Sequence, residues 1–233
     1  MSKKTLDIKI PGVYMLCANQ GAGKSHLIKY LVYMNRHAFD IPLIFSNTGF
    51  IDSNFDYIDH RLVHLEYDPY ILEEYKRIFR EHIEARTKNP SLKQLTGLVI
   101  FDDCITGPQW NDPELKSLIT QVRHFNVVVI LSTQYPKAVP PIFRSNTWGS
   151  FMFYMPTESS IKGLYENYGQ MFENYKSWKT WYLTATTPKY HFVYCDVMCD
   201  SRDLNDRYKV MICPPKIPDF KLSTKYLPEI SPS

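Results

Sequence analysis

A glycine-rich turn that ends in lysine and serine lies near the start of the chain. Residues 13–28 read VYMLCANQGAGKSHLI, in which a short apolar run typical of a strand precedes the turn and helical spacing follows it. This order of elements can hold phosphate groups, because successive backbone N–H groups point inward and the helix N-terminus carries a partial positive charge. The pattern predicts a nucleotide-binding loop; a chance Gly-Lys-Ser sequence is the alternative.

The residue types in this turn suggest individual roles. Gly21 and Gly23 permit positive φ and a close approach of the backbone to phosphate. We expect Lys24 to reach the β- and γ-phosphates and the Ser25 hydroxyl to ligate Mg²⁺. Ala18 stands where the motif G-x-x-x-x-G-K-[ST] has its first glycine. The complete predicted nucleotide-binding set is Ala18, Asn19, Gln20, Gly21, Ala22, Gly23, Lys24, Ser25 and His26.

A second apolar run ends in two adjacent carboxylates. Residues 95–104 read LTGLVIFDDC, which is typical of a central parallel strand buried on both faces. Asp102 and Asp103 would then lie at the carboxyl end of that strand, where open α/β sheets build their sites. We expect Asp102 to hold Mg²⁺ together with Ser25, and Asp103 to position or activate the attacking water. An exposed Asp-Asp turn is the alternative.

A third apolar run ends in an amide. Residues 126–134 read NVVVILSTQ and predict another buried strand, with Gln134 at its tip. We expect this side chain to lie across the γ-phosphate from the Asp-Asp strand and to sense or orient the water.

Bulk composition limits the class of protein. A chain of 233 residues is long enough for one α/β domain with a hydrophobic core. The net charge of +3 neither requires nor excludes a nucleic-acid partner. The longest apolar run, residues 127–131, is too short to span a bilayer, and no signal peptide is recognisable. We therefore expect a soluble, intracellular protein.

The cysteines predict thiols rather than disulfides. The chain has five, an odd number with irregular spacing, and Cys17 and Cys104 adjoin strand-like runs in which a buried thiol is the usual state. Residues 191–199 contain the pattern H-x3-C-x3-C (His191, Cys195, Cys199), which could suggest zinc. Ligands four residues apart on a strand do not converge, however, and Cys213 would have to supply a fourth, so we do not expect a metal there.

Apolar periodicity and capping residues place the other elements. The sequence predicts helices that begin after Asp68 and Asp112, each with proline at the first helical position. Predicted helices cover about 25–36, 69–86, 113–124 and 158–172; predicted strands cover 41–45, 62–65 and 148–154, and a terminal β-hairpin pairs 178–185 with 189–195. We assign residues 1–213 to one domain, with a core at about 10–155 and a C-terminal extension at 156–213. Residues 1–10 are expected to form an arm or edge strand, and 214–233 an extended tail.

The three sites, taken in this order, resemble the FtsK–HerA superfamily of DNA-pumping ATPases. More narrowly, VIFDDC followed by RHFNVVVILSTQYPKAVPPIFRSNTW looks like the genome-packaging ATPases of poxvirus-type large DNA viruses and their virophage relatives. The resemblance covers about residues 10–155. The long separation between Lys24 and Asp102 leaves room for one inserted strand and two helices, as in P-loop ATPases with an additional strand.

The resemblance implies a fold and an assembly. The fold is α/β and RecA-like, with a central, mostly parallel sheet of strand order 5-1-4-3-2. The assembly is a homo-oligomeric ring, a pentamer or hexamer, that binds ATP and Mg²⁺ and moves double-stranded DNA into a capsid irrespective of sequence. Other implied partners are a capsid or portal vertex, and the implied locations are the viral factory in the host cytoplasm and the virion.

The resemblance also implies an arginine finger supplied by the neighbouring subunit. In the superfamily this arginine precedes the sensor strand, which corresponds to Arg123, with Arg144 as the second candidate. A surface salt bridge is the alternative role for either. Lys137, Lys176 and Lys179 are candidates for contact with the DNA backbone, although solvated lysines are the commoner case.

Three other functions remain open from the sequence. A P-loop nucleotide kinase would need an arginine-bearing lid and an acceptor pocket. A slow ATP-gated clamp on DNA or a capsid fits the aspartate at position 103, where glutamate is usual. A cellular or conjugative translocase would share the chemistry.

Overall fold

Short apolar runs of the chain form the strands of one mixed sheet. The computed structural model describes residues 8–49 and 54–222. Within these ranges the sheet has eight strands: β1 (Gly12–Cys17), β2 (Ile41–Ser46), β3 (Val63–His64), β4 (Gly97–Asp102), β5 (Val127–Thr133), β6 (Gly149–Phe153), β7 (His191–Asp196) and β8 (Tyr208–Ile212). Most of residues 1–10 and the end of the predicted tail, 223–233, lie outside the described residues.

The order of the strands confirms the predicted fold class. The sheet runs β3-β2-β4-β5-β1-β6-β7-β8. The strands from β3 to β6 pair in parallel, and β7 and β8 pair antiparallel at the other edge. When the two-residue β3 is left out, the first five longer strands have the order 5-1-4-3-2. All parallel strands therefore direct their carboxyl ends to one edge of the sheet, where we expected the site.

Helices cover both faces of the sheet. Their bounds are α1 (Lys24–Met34), α2 (Pro69–Lys88), α3 (Pro113–Thr120), α4 (Val122–Phe125), α5 (Pro141–Ser145), α6 (Glu158–Tyr168), α7 (Tyr175–Thr186) and α8 (Leu204–Arg207). Short 3₁₀ turns occur at His60–Leu62, Gly107–Asn111 and Pro136–Ala138. Helix α1 packs with the residues of one face, whereas α2, α3, α6 and α7 pack with those of the other. No helix among the described residues is long and apolar enough to cross a membrane.

Two helix starts are as the sequence predicts. The Asp68 carboxylate accepts a hydrogen bond from the backbone N–H of Tyr70 at 2.8 Å, and the Asp112 carboxylate accepts one from Leu115 at 2.9 Å. Each cap satisfies an amide that the first helical turn leaves without a partner. The predicted helix over 113–124 is divided at Gln121 into α3 and α4.

The predicted strand at 178–185 is wrong, because these residues form most of helix α7. Asn174 caps this helix by accepting a hydrogen bond from the backbone N–H of Ser177 at 2.9 Å. Trp178, Tyr182 and Ala185 are spaced four and three residues apart and are all buried, which is helical spacing. The strand was predicted because residues 178–185 are rich in aromatic and β-branched residues, which are favoured in strands. The C-terminal hairpin exists, but β7 pairs with β8 instead.

Residues 213–222, called the C-terminal strap below, carry no helix or strand but pack against the core. Ile217 and Leu222 are buried. The ring of Phe220 lies 4.8 Å from that of Tyr57, and the backbone N–H of Leu222 donates to the carbonyl of Tyr57 at 2.8 Å. The strap therefore crosses the face of the sheet that carries α1.

Candidate active site

Three polar side chains form a row at the carboxyl edge of the sheet. Ser46, Asp102 and Ser132 are register partners on the adjacent strands β2, β4 and β5. Side chains in one register row of a parallel sheet point to the same face, and here that is the face covered by α1. The Ser46 hydroxyl donates to Oδ2 of Asp102 at 3.4 Å. Strand β1 is the neighbour of β5, and the loop that follows β1 leads into α1. The row therefore lies beside that loop.

The loop between β1 and α1 has the backbone that its glycines predict. Gly21 and Gly23 have φ of 74° and 100°, a region that side chains with a Cβ rarely enter. Ala18 is buried, and its backbone N–H donates to the carbonyl of Thr133 at 3.2 Å. Among the described residues, positive φ outside glycine occurs at Asp103, Asn126 and Tyr190. Position 18 therefore does not require glycine, which explains why the motif tolerates alanine there.

Asp103 is turned toward the phosphate loop by its own backbone. Neighbouring residues on a strand point to opposite faces, so Asp102 and Asp103 would diverge if β4 continued. The strand instead ends at Asp102, and Asp103 adopts a left-handed conformation with φ of 50°. Its carboxylate forms an ion pair with the Lys24 ammonium, and Nε2 of Gln134 donates to the same oxygen, Oδ2, at 3.0 Å. Three of the residues predicted to be catalytic are thus in direct contact.

The electrostatics around Lys24 are those of a buried cation facing carboxylates. The side chain is only 10 % exposed. Burial lowers the pKa of Lys24, and the negative charge of Asp102 opposes that change. Burial and charge therefore act in opposite directions on the pKa of this ammonium, and burial has the larger effect.

Two oxygens of this row are buried without a hydrogen-bond partner. They are Oδ1 of Asp102 and Oγ of Ser132; the hydroxyl of Tyr57, on the same face of the sheet, is also buried and unpartnered. Burial and the charge of Asp102 raise the pKa of Tyr57 well above its ordinary value. A buried polar atom without a partner is costly, and hard oxygen atoms are what Mg²⁺ binds. The unpartnered oxygen of Asp102 therefore fits the magnesium role predicted for this residue.

The described residues bring together no group of three or more His, Cys, Asp or Glu side chains that could hold a metal ion. The predicted Mg²⁺ role does not require such a group, because Mg²⁺ usually binds through one or two carboxylates and the phosphates of its substrate rather than in an all-protein cage. In the H-x3-C-x3-C pattern, Cys195 is buried on β7 and Cys199 is partly exposed beyond the strand. Cys17 and Cys104 are buried free thiols, as predicted.

The two candidate arginines lie away from this edge. Arg123, on α4, comes directly before β5, and Trp148 directly before β6, so both are at the amino edge of the sheet. The exposed Arg123 guanidinium stacks over the Trp148 ring at 4.8 Å. Arg144 donates from Nη1 to the Asn167 side chain at 2.7 Å, and its Nε is buried. The structure does not bring either arginine to the Lys24 site of its own chain.

Sequence reasoning missed Ser46, Tyr57, Ser132 and Tyr190. Ser46 and Ser132 could have been found, because each follows an apolar run at the end of a strand, which is the signal that identified Asp102. Nothing in the sequence indicates Tyr57 or Tyr190. The ring of Tyr190 reaches the phosphate loop, since a Cβ built on Gly23 would lie 3.9 Å from it.

Two of the three lysines considered for DNA contact have acidic partners. Lys137 pairs with Glu166 at 3.9 Å, and Lys179 pairs with Glu158 at 2.5 Å. Lys176 is exposed.

Solved structures share this fold. The genome packaging NTPase B204 from Sulfolobus turreted icosahedral virus 2, solved with ATP-gammaS, superposes with a TM-score of 0.55 and 20% identity over 86% of this chain and 96% of its own. The pCW3 conjugation coupling protein TcpA gives 0.54 and 14%, over 81% of this chain and 58% of that one. The chain therefore shares the fold of these proteins, a mostly parallel sheet with helices on both faces, and a glycine-rich loop lies at the carboxyl edge of that sheet.

The sequence relatives are proteins of large DNA viruses. Protein 075L of Invertebrate iridescent virus 6 is 31% identical over 187 residues, which are 76% of this chain and 67% of that protein. Protein 015R of Frog virus 3 is 30% identical over 157 residues, 65% of this chain and 47% of that protein. The chain belongs to the family of these viral proteins, and it spans about half to two thirds of their length. No protein-family model matches it.

Proposed function

We propose that this chain hydrolyses ATP at the subunit interfaces of a ring and uses that energy to drive double-stranded DNA into a viral capsid. The observation that carries the proposal is the meeting of Lys24, Asp102, Asp103 and Gln134 at one edge of the sheet, from three separate parts of the chain. The fold shared with packaging NTPase B204 and the large-DNA-virus relatives support the viral role.

Nucleotide binding begins with an exchange of partners at Lys24. The ammonium is paired with Asp103, and a triphosphate in the 18–25 loop brings a higher negative charge to the same position. The phosphates replace Asp103 as the ionic partner of Lys24, and the Asp103 carboxylate then faces the γ-phosphate. The same step therefore loads the substrate and frees the base.

Asp103 and Gln134 then hold the attacking water. The carboxylate accepts its proton while the amide orients it, and their contact at 3.0 Å keeps both groups within reach of one water molecule. Asp102 and Ser25 are the residues that would hold Mg²⁺, which when bound offsets the charge that develops on the phosphoryl oxygens.

A neighbouring subunit completes the site with Arg123. This residue is exposed at the amino edge of the sheet, whereas its own phosphate loop is at the carboxyl edge. Its exposure at the opposite edge supports a role at the site of another copy rather than at its own. Arg144 is the weaker candidate, because Asn167 already holds its guanidinium.

The test of the motor is ATP hydrolysis with and without long double-stranded DNA, with Lys24→Ala as the inactive control. We expect hydrolysis that long duplex stimulates and short duplex does not, and that disappears in the variant. Steady hydrolysis that no DNA changes would contradict a pump and direct attention to nucleotide acceptors, as for a kinase. ATP binding without turnover under any of these conditions would favour the clamp.

Mixing two inactive variants tests the arginine in trans. Lys24→Ala retains the arginine, and Arg123→Ala retains the phosphate loop. If Arg123 acts on its neighbour, an equal mixture regains about a quarter of wild-type activity, since random assortment in a ring pairs an intact loop with an intact arginine at that frequency. Arg144→Ala is the matched control. Recovery with Arg144→Ala instead would reassign the finger.

A further inference from the structure

A cavity of about 270 Å³ adjoins the phosphate loop on the side of the C-terminal extension. We propose that it binds the nucleoside part of a purine nucleoside triphosphate, with Tyr190 as the residue on which the base stacks. This inference rests on the proposed function, because it assumes that phosphates occupy the loop. It assigns a role to the loop between α7 and β7 that no motif of the chain indicates.

The walls of the cavity place it directly beside the phosphates. One wall is the phosphate loop itself, Asn19–Ala22, and the second is the end of β6, Phe153 and Tyr154. The third is the segment from Thr186 to His191. The first wall is part of the phosphate site. A single nucleotide can therefore place its phosphates in the loop and its nucleoside in the cavity. The volume lies just below the roughly 300–1,000 Å³ of small-molecule sites, which fits a cavity that holds only the nucleoside part of a ligand.

Tyr190 is held in an unusual conformation at the mouth of this cavity. Its φ is 65°, a region that bulky side chains rarely adopt and that tends to occur at functional sites. Two hydrogen bonds fix the turn: Cys213 N–H donates to the Tyr190 carbonyl at 3.0 Å, and His191 N–H donates to the Pro188 carbonyl at 3.1 Å. The residue remains 49% exposed. An aromatic face is thus held open to solvent beside Gly23.

The chemistry of the lining favours a purine. Bases stack on aromatic rings in proportion to their surface, so a purine gains more than a pyrimidine. The Lys189 ammonium lies 4.8 Å from the centre of the Tyr190 ring and offers a donor to the nitrogen acceptors of a purine edge. Among the described residues that line the cavity there is no carboxylate to accept the two adjacent donors of guanine. We therefore expect adenine to bind at least as well as guanine.

The test is isothermal titration calorimetry of the full chain with ATP, GTP, CTP and inorganic tripolyphosphate. Tyr190→Ala should weaken ATP about tenfold by loss of stacking, with no change for tripolyphosphate, which has no base. Tyr190→Phe should bind ATP as wild type does. Tyr190→Gly, which permits positive φ, should behave like Tyr190→Ala and excludes backbone strain as the cause. Tyr70→Ala, an exposed tyrosine on α2, is the matched control.

Each outcome separates this inference from the proposed function. Equal ATP affinity in wild type, Tyr190→Ala and Tyr190→Gly, with binding lost in Lys24→Ala, would overturn the base site and leave the phosphate site intact. Equal weakening of ATP and tripolyphosphate would also overturn it, because the tyrosine would then act on the loop. Failure of the wild type to bind ATP and tripolyphosphate would overturn the proposed function itself. Tighter binding of CTP than of ATP would contradict the purine assignment.

Discussion

The carboxyl edge of the core and the C-terminal extension are built in opposite ways. The edge carries charged and polar groups, some without partners, and a left-handed aspartate at position 103. The extension is an aromatic cluster centred on Trp178, whose side chain is fully buried. Rings in contact within this cluster include Phe172, Trp178, Trp181, Tyr182 and Tyr208. The first region thus contains polar groups without partners and an unusual backbone conformation, whereas the second is a closely packed hydrophobic cluster.

The two regions meet at the cavity and at the C-terminal strap. The strap holds Tyr57, which shares a sheet face with Asp102, and the 186–191 segment forms a wall beside the phosphate loop. If the comparison is correct, substitutions at the edge change turnover at constant stability, and substitutions in the aromatic cluster change stability first. Four sets of variants test that division.

The largest effect is expected for Asp103→Asn. The amide retains the shape of the side chain but cannot accept a proton, so ATP turnover should fall about 10²–10⁴-fold while ATP still binds. Single-turnover hydrolysis measures the chemical step, calorimetric titration measures ATP binding, and urea unfolding checks that stability is unchanged. The matched control is Asp196→Asn at the end of β7, whose partner is Lys9 at 3.6 Å. An equal loss of turnover in both variants would contradict a specific role of Asp103 in hydrolysis.

Trp178→Ala should produce the largest loss of stability. Removal of a fully buried indole leaves a cavity and costs about 3–5 kcal/mol of unfolding free energy. The measurement is the urea midpoint, with ATP turnover expressed per folded molecule and expected to be near wild type. Trp181→Ala on the same helix, whose side chain is only half-buried, should cost less. A turnover defect that exceeds the loss of folded protein would show that the cluster also shapes the site.

Phe220→Ala tests the attachment of the strap. Its ring packs at 4.8 Å from Tyr57 and 5.4 Å from Tyr33, and loss of these two contacts should cost about 1–2 kcal/mol. Hydrogen exchange should increase at the Leu222 amide, which donates to the Tyr57 carbonyl. Lys216→Ala, exposed on the same strap, is the neutral control. Unchanged exchange would mean that the strap does not depend on this ring.

The last effect is on the pH dependence of stability and concerns two thiols, one in each region. Burial raises the pKa of Cys17 in β1 to about 12, and also raises that of Cys195 in β7 to about 12. An unfolded thiol titrates near 8.5, so above that pH the native state binds more protons and stability falls as the pH rises toward 12.

Replacement of either thiol by alanine should therefore flatten this pH dependence by up to about 1.4 kcal/mol per pH unit. Urea unfolding at pH 7, 9 and 10 measures the slope, and at pH 7 the slopes of all variants should coincide. Equal flattening by Cys17→Ala and Cys195→Ala would mean that the core and the extension unfold as one unit. Flattening by Cys17→Ala alone would mean that the extension opens first.

The sequence was sufficient to predict the structure where one contiguous run of residues both forms the strand or helix and contains the polar side chain at its end. Residues 95–104 predict a buried strand and place Asp102 at its end, and the caps at Asp68 and Asp112 are local hydrogen bonds. The strand order also followed, although from the resemblance rather than from the residues. In each of these cases the interactions that decide the structure lie within a few residues.

Contacts between distant residues could not be predicted. Tyr57 and Asp102 face each other only after the sheet has formed, and no local pattern marks the tyrosine. Residues 178–185 have β-prone types, and the tertiary burial of Trp178 and Tyr182 on one helical face decides against a strand. The left-handed turn at Asp103, which sets its contact with Lys24, is also invisible in the residue types.

The C-terminal strap has a consequence for biosynthesis. His26 Nε2, in the first turn of α1, donates to the Pro214 carbonyl at 2.6 Å, and the two residues are separated by 188 positions. During translation the helix that begins at the phosphate loop therefore leaves the ribosome long before its covering segment. Contacts of such long sequence separation close late and slowly. Because β8 ends at Ile212, directly before the strap, the last strand of the sheet and the contact that covers α1 both become available only when residues 208–222 have been synthesised.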